Sequence, residues 1–549
     1  MSDSFESHIR EQVKCFLQTV LVIDDEAYRP LDSSALDVDD GEDWGVGGRE
    51  SLPGKLPQLK VPLEEHASEA FDAKSVSVAF AKVGLSCAIL SPQSTQENKE
   101  HEPAFTSAAK RADVLVLDWS MNGDHGQTAK DLVGSVLRDD ASNEHHRLRL
   151  IVVYTGEPFL GDIAVQIALV VKSILGDEPD WDDRETMVSF CCGPVRVSVY
   201  AKEHVSNLPI GLEERRRSLS ALPQVTVEEF GRHRIGLVTT AAISALAAIR
   251  NDAHRLLAVF GPELDPAVLG QRVALPHPED VERQVEELIG SELLAIVQDH
   301  EVGAHIGVPE IEAWLAHDKS LGSHGCSEFE GVTDAIRLQL LKDGLTEKLK
   351  GEAGISGNKS NRFRKRGAAL FASSEEKSDS SRDLLGVLMS MRSRYTRPIP
   401  RLQLGSVVEQ GGVYAVCVQP LCDCVRIVGE RAFPLLPAEV VEEDNGGAGG
   451  YLATVYDPAA DRTSCRNGYV RLRVRADPWR IQMVAFAAST TGEVESIIED
   501  GAITFRSKTG EVWRWIGELN PEHAQRVVVS LAASLARVGV TEVEALRVG

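Results

Sequence analysis

Short apolar runs alternate with amphipathic segments over the first 205 residues of the chain. Most of the runs are continuously apolar, as expected of strands that are covered by helices on both faces. Strand-like runs that alternate with helical patterns are typical of crossover units, which build a parallel sheet. The predicted strands are 19–23, 87–90, 114–117, 150–154 and 195–200, and the predicted helices between them lie near 71–83, 105–111, 126–137 and 163–175.

Two stretches interrupt this pattern. Residues 28–70 are rich in Gly, Pro and Asp, include the acidic run 37–43 and show no apolar period, so we expect a solvated insert. A further strand-like run at 187–192 precedes the last predicted strand. The pattern therefore predicts an α/β domain over residues 1–208, with a doubly wound five-stranded parallel sheet and a long insert at 28–70.

The middle of the chain lacks strand-like runs. Residues 209–350 carry helical patterns, with strongly apolar stretches at 235–249 and 281–297, and predict a helical domain. Residues 351–400 begin with a stretch rich in Gly, Ser, Lys and Arg, which is typical of a linker. The basic cluster RFRKR (362–366) lies within it, and we interpret this cluster as part of a solvated segment.

The last part of the chain returns to strand-like runs. Residues 401–549 contain several such runs and a closing helix, which has Asn520 as its expected N-cap and Pro521 in its first turn. This combination predicts a C-terminal α+β domain. The strand-like runs are 413–418, 425–428, 469–474, 481–486 and 502–505.

Composition and charge restrict the classes of function. The chain of 549 residues is 43% hydrophobic and 26% charged, close to the average of globular proteins, which allows a buried core. Its formal charge of −25, from 83 acidic and 58 basic residues, repels nucleic-acid phosphates and anionic lipids. The longest uncharged apolar stretch, 235–249, is shorter than the roughly 18 residues of a membrane-spanning helix. We therefore expect neither a nucleic-acid nor a membrane partner.

Cysteine content and the N-terminal segment favour a cytoplasmic protein. Nine Cys residues without framework spacing are typical of reduced thiols. Residues 1–15 mix acidic, basic and His residues and lack the apolar core of a secretory signal. Cys417, Cys422 and Cys424 could supply zinc ligands, but their spacing is not that of a recognised zinc knuckle, so we favour buried strand cysteines.

Polar residues follow four of the five predicted strands. Asp24 and Asp25 follow the first strand, Asp118 the third, Thr155 the fourth and Lys202 the fifth. Open parallel sheets bind ligands at the carboxyl ends of their strands, so these side chains should meet at one edge. Three carboxylates there would repel one another unless a hard cation neutralised them, and their oxygen ligands suit Mg²⁺. A hydroxyl and an ammonium opposite them could hold a phosphoryl group.

The sequence around these residues resembles the receiver domain of two-component response regulators. The resemblance lies in VLVIDDE (20–26), VLVLDWSMNGDHG (114–126), IVVYTGEP (151–158) and VSVYAKEH (197–204). It implies a flavodoxin-like fold and a Mg²⁺ cofactor. Carried over residue by residue, it implies Asp118 as the phosphoacceptor, Asp24 and Asp25 as the acidic metal pair, the backbone carbonyl of Ser120 as a further metal ligand, Thr155 as the switch hydroxyl and Lys202 as the lysine of the family.

Three positions depart from the family's pattern. Asn122 stands in the acceptor loop where the family has Pro. Glu203 follows the lysine in place of another Pro, so we expect a trans peptide there, since a non-proline cis bond costs about 2.5–4 kcal/mol. Val199 occupies the aromatic switch position, with Tyr200 one residue later, which argues against the usual coupling of hydroxyl to aromatic ring.

The resemblance implies a response regulator that accepts a phosphoryl group from a histidine kinase on Asp118. Residues beyond 205 show no Walker loop, GxSxG elbow or HExxH pair, so we do not expect an enzyme. Such a chain would signal, or buffer phosphate, through contacts with a further response regulator or effector. The long insert at 28–70, the helical region that follows the receiver part and the CDCVR segment (422–426) also resemble the receiver proteins of the Detocs type of phage-defence systems.

Two alternatives stay open at the level of sequence. The C-terminal part could be an unrecognised effector enzyme, which would require a polar pocket with convergent titratable groups beyond Leu402. The N-terminal part could instead be a pseudo-receiver that serves as a scaffold and takes no phosphate. The apolar helical domain is compatible with a homodimer and equally with an intramolecular bundle.

Overall fold

A computed structural model describes most of the chain, and its contacts divide the chain into two compact units, Met1–Asp318 and Lys319–Gly549. The predicted insert at 28–70 lies outside the described residues, and the four-part division from the sequence stays a prediction. The described residues are 3–27, 71–92, 98–142, 147–233, 236–317, 332–355, 357, 360, 363–364, 366–372, 374–392, 399–441, 450–460 and 467–536.

The first unit is built on a sheet with a parallel centre. All five strands predicted from the sequence are present, and they pair in parallel in the order β2-β1-β3-β4-β7. This is the flavodoxin-like order of a doubly wound sheet. The strands of this sheet are β1 Thr19–Ile23, β2 Ser86–Leu90, β3 Val114–Leu117, β4 Arg149–Thr155, β5 Asp180–Trp181, β6 Ser189–Cys192, β7 Val195–Lys202 and β8 Arg216–Arg217.

The sheet is larger than the five strands predicted from the sequence. It has eight strands, because β6 pairs antiparallel with β7, β5 pairs antiparallel with β6, and β8 adds to β7 in parallel. Cys192 lies opposite Val195, so only Gly193 and Pro194 separate the two strands of this hairpin. The five predicted strands therefore form the centre of the sheet, β8 adds a short sixth parallel strand, and the strand-like run at 187–192 extends the edge.

Helices cover both faces of this sheet. One face packs against α4 and α5 through Val133, Ile163 and Ile167, and the other against α1, α2 and α6 through buried residues such as Phe5 and Phe80. The covered faces agree with the continuously apolar strands of the sequence. The helices of this part are α1 Asp3–Phe16, α2 Ala73–Lys82, α3 Asn98–Arg111, α4 Gln127–Ser142, α5 Leu160–Leu175 and α6 Leu222–His233.

The remaining helices of the first unit confirm the helical middle region. Residues 237–249 of the first apolar stretch lie in α7 Leu237–Val259, and the stretch at 281–297 lies in α9 Asp280–Asp299. Helices α8 Asp265–Ala274 and α10 Val308–His317 flank α9 in the chain. Within the described residues, no helix combines the length and the apolar character that a membrane crossing requires.

The second unit contains an antiparallel sheet of nine strands. Its order is β12-β13-β11-β10-β9-β17-β16-β15, with β14 paired to β11. Helices Glu375–Ser390 and Pro521–Leu535 pack against one face of this sheet. The strands are β9 Ser406–Gln410, β10 Val413–Cys417, β11 Glu430–Val440, β12 Tyr451–Tyr456, β13 Tyr469–Val474, β14 Gln482–Ala487, β15 Ile497–Glu499, β16 Ala502–Arg506 and β17 Val512–Glu518.

The C-terminal helix and one strand show where local sequence signals succeed and fail here. The closing helix begins at Pro521 after Asn520, as predicted, but the Asn520 side chain makes no capping hydrogen bond. The predicted strand at 425–428 is wrong, because Arg426 adopts a left-handed conformation with φ of 58° that no strand accommodates. The mixed architecture of parallel sheet, helical middle and C-terminal sheet with helices is the one that the sequence predicted.

Candidate functional site

The carboxyl ends of the parallel strands bring the predicted polar residues to one edge of the sheet. Ile23 of β1 is aligned with Leu117 of β3, so Asp24 and Asp118 leave the sheet at the same level. Thr155 is the last residue of β4 and belongs to the next strand along. Asp24 and Asp118 are buried and Thr155 is fully buried.

Lys202 connects the two buried carboxylates directly. It is the last residue of β7 and is buried. Its Nζ donates to Oδ2 of Asp24 at 2.9 Å and lies 3.2 Å from Oδ1 of Asp118. Glu26 is more distant, with its Oε2 at 4.0 Å. The ammonium therefore lies between two carboxylates from different strands, as the predicted arrangement requires.

The charges at this edge do not balance. Burial raises the pKa of Asp118 to about 7, against the opposing effect of Lys202, and the negative charges of Asp24 and Asp25 add to the increase. Burial acts to lower the pKa of Lys202, but Asp118 and Asp24 raise this pKa above its ordinary value. The edge therefore carries excess negative charge that a further cation would offset.

The other predicted residues lie beside these three. The carbonyl of Asp25 accepts from Oγ of Ser91 at 3.2 Å. Oγ1 of Thr155 accepts the backbone N–H of Glu157 at 3.0 Å, which leaves its own proton to donate. The carbonyl of Ser120 accepts a turn hydrogen bond of 3.4 Å and keeps a second lone pair. Asp24, Asp118 and Lys202 are thus in direct contact, with the others at adjacent strand ends.

The donor set at this edge fits a hard divalent cation. Mg²⁺ is usually bound through one or two carboxylates and keeps several waters, so a closed cage of protein ligands is not needed. Asp24, Asp25 and Asp118 offer only oxygen, and the excess negative charge favours a cation. Across the described residues, no group of three or more His, Cys, Asp or Glu side chains is arranged around a common point. An ion at this edge would therefore keep water among its ligands.

The cysteines considered for zinc are arranged differently. Cys417 and Cys424 are buried in the second unit, whereas Cys422 is exposed. Burial raises the pKa of Cys424 to about 12, and it raises the pKa of Cys417 as well. Zinc binds the thiolate form, which these environments disfavour.

The loop after Asp118 is held by packing between an aromatic ring and a glycine. Trp119 and Met121 are buried. Gly126 has φ of 83°, and a Cβ atom at this residue would lie 2.2 Å from Cζ2 of Trp119. Asp124 accepts the backbone N–H of Gly126 at 3.0 Å. The loop therefore has its own supports, although Asn122 stands where the family has Pro.

We expect Gly126→Ala to lower the free energy of unfolding by about 2–3 kcal/mol, because it combines a left-handed backbone with a clash against Trp119. Gly123→Ala is the matched control, since Gly123 also has a positive φ, of 73°, but has no atom within 4 Å of an added Cβ. Its cost should be about 1 kcal/mol. Chemical denaturation of both variants measures the difference, and equal losses would contradict the packing argument.

Val199 occupies the aromatic switch position, as read from the sequence, and the neighbouring Tyr200 points to the other face of the sheet. Val199 is part of the apolar core, on the face that packs against α5. Tyr200 faces the opposite side of the sheet, and its hydroxyl donates to Oε1 of Glu229 on α6 at 2.7 Å. Sequence reasoning missed Glu229, although the alternation of polar and apolar residues in β7 was a signal that a polar partner was needed.

Comparison with known proteins supports the identity of this part of the chain. Residues 16–207 match the family model described as the response receiver domain. No curated protein and no solved structure matches the chain. The matched segment contains the five parallel strands and ends before α6. The receiver domain that the strand-end residues predicted is therefore confirmed, and it indicates a response-regulator role in phosphotransfer.

Proposed function

We propose that the chain is a response regulator whose receiver domain accepts a phosphoryl group on Asp118 from a histidine kinase, with Mg²⁺ as cofactor. The observation that supports this most directly is the contact of Lys202 with both Asp24 and Asp118 at the sheet edge. An acceptor carboxylate, a second carboxylate that can bind a cation and an ammonium are groups that phosphoryl transfer to an aspartate uses.

In this reaction an Oδ atom of Asp118 attacks the phosphorus in line. The new bond joins that oxygen to phosphorus, and the bond from phosphorus to the imidazole nitrogen of the kinase breaks. Lys202 already contacts Asp118, and its ammonium can donate a hydrogen bond to one phosphoryl oxygen. Thr155 has a hydroxyl proton to donate to another. The burial of Asp118 limits competing hydrolysis by water.

Asp24, Asp25, Asp118 and the Ser120 carbonyl would hold the ion, which when bound neutralises charge on the phosphoryl oxygens. Because the pKa of Asp118 is raised to about 7, added positive charge at the edge also increases its carboxylate fraction at neutral pH. Both effects make uptake depend on the divalent cation.

We infer that the output runs through protein contacts. The sequence beyond residue 205 has no recognised catalytic motif, so signalling to a further response regulator or effector, or buffering of the kinase's phosphate, agrees best with the chain. A role in phage defence in the cytoplasm follows from the resemblance to Detocs-type receivers. Formation of a homodimer through the helical region is part of the same proposal.

One observation favours a second candidate, an activity in the second unit. A cleft of about 740 Å³ there brings titratable side chains together, as an enzyme would need. Its arginines are already neutralised, because Arg514 donates to Asp457 at 2.6 and 2.7 Å and Arg506 pairs with Glu499. This candidate therefore ranks second. The titratable residues that line the cleft are Glu409, Glu499, Asp500, Arg506 and Arg514.

We expect the purified full chain to gain the mass of one phosphoryl group when it is incubated with acetyl phosphate and Mg²⁺. Chelation of the metal should prevent the gain, because the charge at the sheet edge is then uncompensated. Intact-mass spectrometry measures both. A chain that stays unmodified and also fails to bind beryllofluoride would be the pseudo-receiver scaffold, and the proposal would be wrong.

A further inference from the structure

Strand β7 has one face of buried polar side chains, which is unusual in a parallel strand covered on both sides. All eight of its residues are buried. The apolar face belongs to the core against α5. Because side chains alternate along a strand, the polar residues form a single row. The members of this row are Arg196, Ser198, Tyr200 and Lys202.

Three of the four side chains in this row bind one carboxylate. Glu229 of α6 is fully buried. It accepts from Nε of Arg196 at 2.8 Å, from Oγ of Ser198 at 2.5 Å and from the hydroxyl of Tyr200 at 2.7 Å. Burial acts to raise the pKa of Glu229, but Arg196 and the two hydroxyl donors bring this pKa below its ordinary value. These hydrogen bonds, which we call the clamp, therefore join β7 to α6 through an ionised carboxylate.

The fourth member of the row is the lysine of the phosphoryl site. Lys202 lies two residues beyond Tyr200, which is about 7 Å along a strand. The hydrogen bonds of Glu229 thus hold the same face of β7 that presents the Lys202 ammonium to Asp118. Helix α6 lies beyond residue 207, where the match to the receiver family ends.

We propose that Glu229 is a positioning residue for the phosphoryl site and that α6 responds to phosphorylation through it. The inference rests on the proposed function. In this coupling, movement of Lys202 from the carboxylates toward a phosphoryl oxygen strengthens the hydrogen bonds between the row and Glu229. Because coupling between two sites is reciprocal, loosening the clamp must also weaken the stabilisation of the phosphorylated state.

This route differs from a coupling of Thr155 to an aromatic ring on the face of α5. Val199 occupies that face. Tyr200 instead lies on the face of α6 and α1, where Arg215 stacks on its ring with its guanidinium carbon 4.9 Å from the ring centre. Phosphorylation would therefore change the structure first at α6, where the receiver domain joins the helical region.

The variant Tyr200→Phe tests the proposal, with Tyr154→Phe as the matched control. Tyr154 is paired with Tyr200 in register and lies on the same face, but its hydroxyl donates to the carbonyl of Arg217 at 2.9 Å. Each variant loses one buried hydroxyl and keeps its ring, and only Tyr200→Phe removes a bond to Glu229. A purely structural role would affect the two variants alike.

We expect Tyr200→Phe to lower the rate of phosphorylation by acetyl phosphate about 3- to 10-fold, the range that corresponds to the net contribution of one typical hydrogen bond. In the wild type, beryllofluoride with Mg²⁺ should slow hydrogen exchange at the backbone amides of 222–233. This response should shrink in Tyr200→Phe and persist in Tyr154→Phe. If Tyr200→Phe fails to fold, Ser198→Ala removes another donor to Glu229 and should give the same result.

The outcomes separate this inference from the proposed function. A wild-type chain that takes up no phosphoryl group and fails to bind beryllofluoride refutes the proposed function, whatever the variants do. A wild-type chain that is phosphorylated, but whose α6 amides exchange equally with and without beryllofluoride, refutes only the role of Glu229. Equal phosphorylation rates in Tyr200→Phe and Tyr154→Phe refute it as well.

Discussion

The variant Asp118→Asn should take up no phosphoryl group from acetyl phosphate under conditions that label the wild type fully. An amide oxygen is a poor nucleophile, and the neutral side chain also removes one carboxylate from the contacts of Lys202. Asp24 keeps its hydrogen bond of 2.9 Å to Lys202, so the sheet edge should stay folded. Intact-mass spectrometry of the full chain measures the loss.

The stability of the same variant provides an internal control for folding. Burial raises the pKa of Asp118 to about 7, above its value in the unfolded chain. The folded state therefore binds the proton more tightly, and this group makes the protein less stable as the pH rises from about 4 to 7. The amide that replaces this carboxyl does not titrate, so in metal-free buffer at neutral pH Asp118→Asn should unfold at the same or a higher denaturant concentration.

Asp131→Asn is the control for nonspecific loss of a carboxylate, because Asp131 is exposed on α4 and contacts only Gln127 among the bonds described. This variant should be phosphorylated like the wild type. Labelling that survives in Asp118→Asn would place the acceptor at another residue, and peptide mapping would then decide between Asp24 and Asp25.

The variant Arg149→Met should lower the free energy of unfolding by about 3–5 kcal/mol, the range measured when one partner of a buried ion pair is removed. Arg149 is fully buried at the start of β4. Its Nε and Nη2 donate to Asp140 at 2.5 and 2.8 Å. It also donates to the carbonyls of Ala109, Ala112 and Lys110. The substitution leaves a buried carboxylate and three carbonyls without this donor.

Two further variants make this expectation specific. Lys110→Ala breaks the neighbouring pair with Asp139, whose side chains are 35% and 39% exposed, and should cost less than about 1 kcal/mol. The double variant Arg149→Met with Asp140→Leu removes both buried charges, so it should be more stable than Arg149→Met alone. Chemical denaturation measures the free energy of unfolding of all three variants, and hydrogen exchange of β4 measures the local effect. A loss for Arg149→Met as small as that for Lys110→Ala would show that the buried pair contributes little.

Local pattern was sufficient for the five strands at the centre of the first unit's sheet, but not for β5, β6 and β8. The runs at 19–23 and 114–117 are continuous in apolar residues and became β1 and β3 with the predicted limits. Because all parallel strands end at the same edge, inspecting the first polar residue beyond these runs was enough to group Asp24, Asp118 and Lys202. That logic needs only the order and direction of strands, which crossover units impose.

Helix α1 shows a signal that was present but not used. Phe5, Ile9 and Val13 are spaced by four residues and are all buried, which is the stripe of an amphipathic helix. The mixture of acids, bases and His in the same segment conceals the stripe when only composition is considered. Its burial depends on α6 and α7, which follow more than 200 residues later in the chain.

The sequence by itself determined the parallel sheet, the direction of its strands and the group of polar residues at their carboxyl ends, because these depend on periods of a few residues. Only the tertiary structure decided that Glu229 accepts hydrogen bonds from three residues of the polar row of β7, and that β6 and β5 extend the sheet. A buried carboxylate finds its donors through contacts between segments some 30 residues apart. No local periodicity encodes such a pairing, since its free energy arises only once both partners leave water together.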